Sequence, residues 1–193
     1  MRALAEVGRA ISDAASALRS PFVLATDVFD LPRHSLGALL GALPLSPTFA
    51  RHRLGLGPSR VRDQQRTLAR ALLAEQRVAA FRVLVRELLC GSEQRLRSEL
   101  PEASERALGF ELPADLAGVF IRVRPRDSQR FTGALLAAAR YDSLVQNHDE
   151  DWFRNPRAIA ELRAELGESA PLASTVRLSE GAQAWVMRLE ALI

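Results

Sequence analysis

The stretch from Ser59 to Gly91 constrains this chain more than any other, because it reads as one helix about 50 Å long at roughly 1.5 Å per residue. Its two halves differ. From Arg60 to Arg77, Val61, Leu68, Leu72 and Leu73 make one apolar stripe among arginines, glutamines and carboxylates, which predicts a surface-lying half. From Val78 to Cys90 only Arg82, Arg86 and Glu87 interrupt an apolar run, which predicts a buried half. The expected fold is therefore all-α, an irregular multi-helix bundle around this long central helix.

The flanking sequence agrees. Leu4, Val7, Ile11, Ala14, Ala15 and Leu18 recur at helical spacing and predict an amphipathic helix over residues 2–18. A connecting turn is expected over 22–32, with Leu31-Pro32 at its end. A short apolar helix follows over 35–43, with Gly37 and Gly41 spaced for close approach. Ser46-Pro47 offers a cap and a first-turn proline for 48–54, and Ser59 is read as the cap of the central helix. Ser92 should cap a helix to Leu100, with a new turn beginning at Pro101 and ending at Gly109. Pro113 opens a helical turn, and Pro125 makes 121–126 an extended loop rather than a strand. Ser128 is read as the cap of a helix to about Gln146, Asn155-Pro156 as the start of one to Leu166, and Ser179 as the cap of the last, after a loop over 170–176.

At 193 residues the chain is long enough for one domain with a substantial core. Its expected parts are short helices and turns over 1–58, the central helix over 59–91, and C-terminal helices over 92–193. No apolar run reaches the roughly 18 residues of a membrane span, and Glu6, Arg9 and Asp13 interrupt the first residues where a secretory leader needs an apolar core. A soluble, cytoplasmic protein with no membrane partner is expected. The one cysteine, Cys90, lies in the apolar half of the central helix and reads as a small buried hydrophobe.

All 26 basic side chains are arginine, and the excess over carboxylates is three charges. Two arginine clusters, at 62–77 and 122–130, read as solvated surface. Nucleic-acid binding is disfavoured because no groove-entering motif occurs and the aromatics near the basic residues, Phe120 and Phe131, are too few to interleave with them.

Three histidines, His34, His52 and His148, lack partners at the spacing of a helical zinc site, so neither a metal nor another cofactor is expected. The weak metal candidates are His148, Asp149, Glu150 and Asp151, consecutive residues that serve equally to solvate a turn before a helix N-terminus. No residues form a recognisable catalytic set. Trp152 and Phe153, just before Asn155 and Pro156, read as a structural anchor, with ligand stacking as the alternative. Leu36, Leu39, Leu40 and Leu43 carry few polar neighbours and are the candidate contact surface for a protein partner or a homodimer.

The run Asp-Glu-Asp-Trp-Phe-Arg-Asn-Pro-Arg-Ala at 149–158, set between two helices, resembles the C-terminal helical region of gluzincin-type zinc metallopeptidases of the oligopeptidase kind. Residues 68–89 are similar to the long helix of such proteins and 178–193 to their terminal helix. Ile159 stands where those families place glycine, and their HExxH helix and downstream zinc-binding glutamate have no counterpart here. The resemblance implies a helical fold and carries no catalytic residue over. The expected function is non-catalytic protein interaction by a peptidase-like remnant. The alternative is the helical subunit of a split zinc hydrolase whose catalytic half is another chain.

Overall fold

The computed structural model describes residues 1–17, 31–120, 126–167 and 175–193, and every regular element among them is a helix. In chain order these are α1 (Arg2–Ala17), α2 (Leu31–Gly41), a 3-10 turn (Leu43–Leu45), α3 (Pro47–Leu54), α4 (Pro58–Gly91), α5 (Glu93–Leu108), a 3-10 helix (Ala114–Phe120), α6 (Arg126–His148), a 3-10 turn (Trp152–Arg154), α7 (Pro156–Gly167) and α8 (Thr175–Glu190). Most of the turn expected over 22–32, of the loop over 121–126 and of that over 170–176 lies outside the described residues, and Leu31, Pro32 and Arg126 are already helical. Contacts gather the chain into two compact units: Met1–Arg70 with Thr132–Ile193, and Ala71–Phe131. No described helix is long and apolar enough to cross a membrane.

The first unit is built on helices that touch at glycine. A methyl group on Gly8 of α1 would lie 2.7 Å from the Leu36 carbonyl oxygen and 2.9 Å from the Gly37 Cα, so the backbones of α1 and α2 are in contact there. This rotates α1 from its expected orientation, in which Val7 and Ile11 face inward with Leu4; only Leu4 of the three packs against the core. Gly8 and Ser12 are buried, whereas Val7 and Ile11 are 50% and 45% exposed, because bulky side chains would hold the two backbones apart. Gly133 of α6 meets His34 of α2 as closely, and Gly181 of α8 lies against the backbone of Leu135. Around these crossings Leu36, Leu39, Leu43, Tyr141, Leu144 and Trp152 form the core. Leu36, Leu39 and Leu43 are therefore interior residues with Leu40 packed beside them, and the expectation of a contact surface there is corrected: facing α1 and α6, their apolar side chains are already covered.

In the second unit, Phe81, Val85 and Leu88 of α4 pack on Leu96, Leu100, Ala103 and Ala107 of α5 and on Ala117. Phe120 stands edge-on to Phe81 at 5.2 Å. The helix expected to stop at Leu100 instead runs on with Pro101 inside it. Leu96, Leu100, Ala103 and Ala107 make one stripe across the proline, and burying that stripe on a single core offsets the lost amide donor. Ser104 then fixes the exit: its hydroxyl donates to the Pro101 carbonyl and accepts from the Leu112 amide at 2.8 Å.

The local caps follow their chemistry. Ser46 accepts from the Phe49 amide, Ser92 from the Arg95 amide and Asn155 from the Arg157 amide, while Gly55 and Gly109 end α3 and α5 at φ of 64° and 86°. Three expected caps lie inside helices. Pro58 is the first residue of α4, with the Val61 amide bonded to the Gly57 carbonyl, so Ser59 is helical; α6 and α8 likewise begin before Ser128 and Ser179. Pro32 belongs to the first turn of α2, where an amide donor is not needed.

The two halves of α4 also differ less than expected. The first buries Val61, Gln65 and Ala69 along one line, with the Gln65 amide donating to the Leu45 carbonyl at 2.7 Å. The second buries Phe81, Val85 and Leu88 but leaves Val78 at 40% exposure and Cys90 exposed. One stripe per turn is all that a core on one side of a helix can cover.

Candidate functional site

His148 closes α6, and its ring Nε2 lies 2.7 Å from a carboxylate oxygen of Glu161 on α7. The other Glu161 oxygen accepts from the Arg140 guanidinium at 3.3 Å, and Arg140 also pairs with Glu165 one turn further along α7. His148, Glu161, Arg140 and Glu165 thus form a continuous polar chain that clamps α6 to α7.

The acidic run after His148 builds a turn rather than a ligand set. Asp149 adopts φ of 66°, which aspartate tolerates better than most residues, and the amides of Trp152 and Arg154 bond the carbonyls of Asp149 and Asp151. The side chains diverge, since the Glu150 carboxylate accepts from Thr48 on α3 at 3.0 Å while His148 faces Glu161. Among the described residues no three His, Cys, Asp or Glu side chains gather as metal ligands. His148, Asp149, Glu150 and Asp151 are therefore not brought together.

Trp152 is fully buried. It meets Tyr141 edge-on at 6.1 Å and Phe153 at 6.2 Å, and Phe153 continues the array to Phe49 at 5.3 Å. With its faces covered by protein, the indole has no room to stack a ligand. The Arg188 guanidinium also sits over Tyr141, 3.3 Å from the ring centroid. Burial pushes the Arg188 pKa below the usual arginine value, against the pull of Tyr141 and Asp142, and burial likewise raises that of Asp142 despite the nearby Arg188 charge.

Two surfaces stand out, the first unmarked in the sequence and the second overlapping the arginine cluster expected at 62–77 to be solvated surface. In the second unit Phe110, Leu116 and Val119 are 57%, 40% and 71% exposed. Leu116 and Val119 are three apart on a 3-10 helix, where such residues eclipse, so they share one face, turned about 120° from the one that buries Ala117 and carries Phe120. The signal was the period of three in 114–120, hidden because the stretch is too short to show periodicity. In the first unit Arg51, Arg53, Arg60, Arg62, Arg66 and Arg70 are all exposed. Comparison with known proteins adds nothing to this geometry: no protein family, curated protein or solved structure matches the chain.

Proposed function

We propose that this chain is a non-catalytic helical protein that works by holding another protein, with a peptidase-like helical body and no peptidase chemistry of its own. The observation that supports the reading is the exposed apolar pair Leu116 and Val119 on one face of the 3-10 helix, with Phe110 also exposed in the same unit, all of which water covers only at a cost. Exposed Glu111 and Asp115 flank it, the pattern of an apolar centre with a charged rim. The polar side chains that would otherwise invite a catalytic reading spend their hydrogen-bonding capacity on each other, as in the chain from His148 to Glu165.

The test is a photo-crosslinking residue placed at Val119 in the native cell, with the same residue at exposed Arg163 as the control. A discrete adduct from position 119 and none from 163 supports the proposal, and an adduct of twice the chain's mass identifies a homodimer. Equal labelling at both positions, or none at either, would sink it.

A further inference from the structure

We propose that the arginine face of α3 and of the first turns of α4 is a landing surface for the phosphate backbone of a nucleic-acid duplex, bound without regard to base sequence. This face lies in the first unit and is independent of the apolar face proposed above to hold a protein.

The charge is concentrated. Residues 51–70 hold six arginines and one carboxylate, Asp63, while the whole chain has 26 basic and 23 acidic side chains, so the remainder is net acidic. The six guanidiniums are also without partners. Among the described residues none of Arg51, Arg53, Arg60, Arg62, Arg66 and Arg70 makes an ion pair or a side-chain hydrogen bond. Elsewhere the chain sets a glutamate one turn from an arginine, as in Arg95 with Glu99 and Arg97 with Glu93. On α4 the residue one turn from Arg62 is Arg66, and the next is Arg70. Like charges at that spacing repel, at roughly 0.2–0.5 kcal/mol per pair, and an external anion relieves the repulsion.

Geometry and composition choose among anions. Arg62, Arg66 and Arg70 rise about 6 Å apart along one line of α4, some 12 Å in all, matching three or four phosphates at about 3.4 Å per residue of one duplex strand. Arg60 precedes that line, and Arg51 and Arg53 lie in the last turn of α3 beyond the bend at Gly55. A protein partner would need an apolar, charge-depleted centre. Here the exposed neighbours on α4 are Asp63, Thr67 and Ala71, and on α3 His52 and Leu54, a single large apolar side chain among six charges. Single strands would need aromatic side chains to stack on, and this face has none. The missing aromatics that count against base reading do not count against a backbone contact, which needs only guanidiniums.

Anisotropy of a fluorescein-labelled duplex of about 20 base pairs and mixed sequence, titrated with the full chain, tests the proposal. Three to six phosphate contacts predict a log–log salt slope between about −2.7 and −5.4, a loss of roughly 40- to 2,000-fold in affinity from about 50 to 200 mM salt. A competitor duplex of different sequence should displace it equally. The triple variant R62E/R66E/R70E should bind at least about 100-fold more weakly with an unchanged melt, and Arg66→Ala alone should lower the slope by about one. The control R95Q/R97Q, on α5, should bind as the wild type does. The proposal is overturned by no duplex binding at the lowest salt, by full binding in the triple variant, or by tighter binding of phosphatidylserine vesicles or polyglutamate than of the duplex.

Discussion

The two units of this molecule solve the same packing problem in opposite ways. The first brings helix backbones together where side chains are missing, at Gly8, Gly133 and Gly181, and then locks the seams with an aromatic array and an ion-paired chain. The second fills the space between its helices with side chains, among them Phe81, Leu96, Leu100 and Phe120. A core built on absent atoms tolerates no addition. A core built on present atoms tolerates no removal.

The largest expected effects are truncations at the two centres. Trp152→Ala should destabilise the first unit by about 3–5 kcal/mol, somewhat less if the unpartnered indole N–H is relieved of its burial cost. Leu100→Ala should cost the second about 2–5 kcal/mol. Chemical denaturation of each variant measures both. An unchanged midpoint for Trp152→Ala would put the indole outside the core and reopen ligand stacking.

Added methyl groups separate the units more sharply. Gly181→Ala would place a carbon 2.1 Å from the Leu135 carbonyl oxygen, and Gly8→Ala one 2.7 Å from that of Leu36. Neither obstacle is a flexible side chain, so each should cost about 1–3 kcal/mol or more. Gly118→Ala in the second unit meets nothing within 4 Å and should change stability by less than about 0.5 kcal/mol. Equal effects at the three glycines would erase the distinction.

What the sequence could and could not convey follows from the same contrast. Caps were legible at Ser46, Ser92 and Asn155 because a cap is settled within four residues, and the all-helical fold was legible because stripes recur along the whole chain. The face of α1 was not. Val7 and Ile11 carry the hydrophobicity, but Gly8 and Ser12 carry the contact, and only a partner helix with its own glycine makes that choice favourable. Pro101 was misread for a related reason, since its cost is local and visible whereas the stripe that outweighs it depends on α4. The candidate contact at Leu36–Leu43 failed because apolar composition does not say whether the cover is another chain or this one. The exposed face at 116–119 needed burial, which only coordinates supply; the arginines at 62–70 were legible as solvated surface, and only their lack of pairing was not.

A smaller effect concerns the one hydroxyl that ties the second unit's exit loop. Ser104 is buried and bonds the Leu112 amide, so Ser104→Ala leaves that donor unpaired and should cost about 1–3 kcal/mol, with Ser104→Thr a poor rescue for lack of room. Faster hydrogen exchange at Leu112 than at Leu100 in the variant would localise the loss to the loop. Uniformly faster exchange would mean that the second unit opens as one piece.

The smallest effect expected is a pH dependence in the first unit at Asp142. Burial raises the Asp142 pKa above the ordinary aspartate value of 3.8, in spite of the Arg188 charge that pulls it down. A carboxyl with a raised folded pKa favours folding in its protonated form. That contribution is fully present below the unfolded pKa and is lost as pH rises through the folded one. Asp142→Asn keeps the shape of the protonated form at every pH. The variant and the wild type should therefore melt together in strong acid, and the variant should melt slightly higher once pH has passed the carboxylate range. Because Asp142 is only partly buried, solvent screens the effect and the gap should be small. Should the wild type be the more stable at neutral pH, the attraction between Asp142 and Arg188 outweighs desolvation, and the pair belongs with the ion-paired chain of Arg140 and Glu161 as a lock on the seams of this unit.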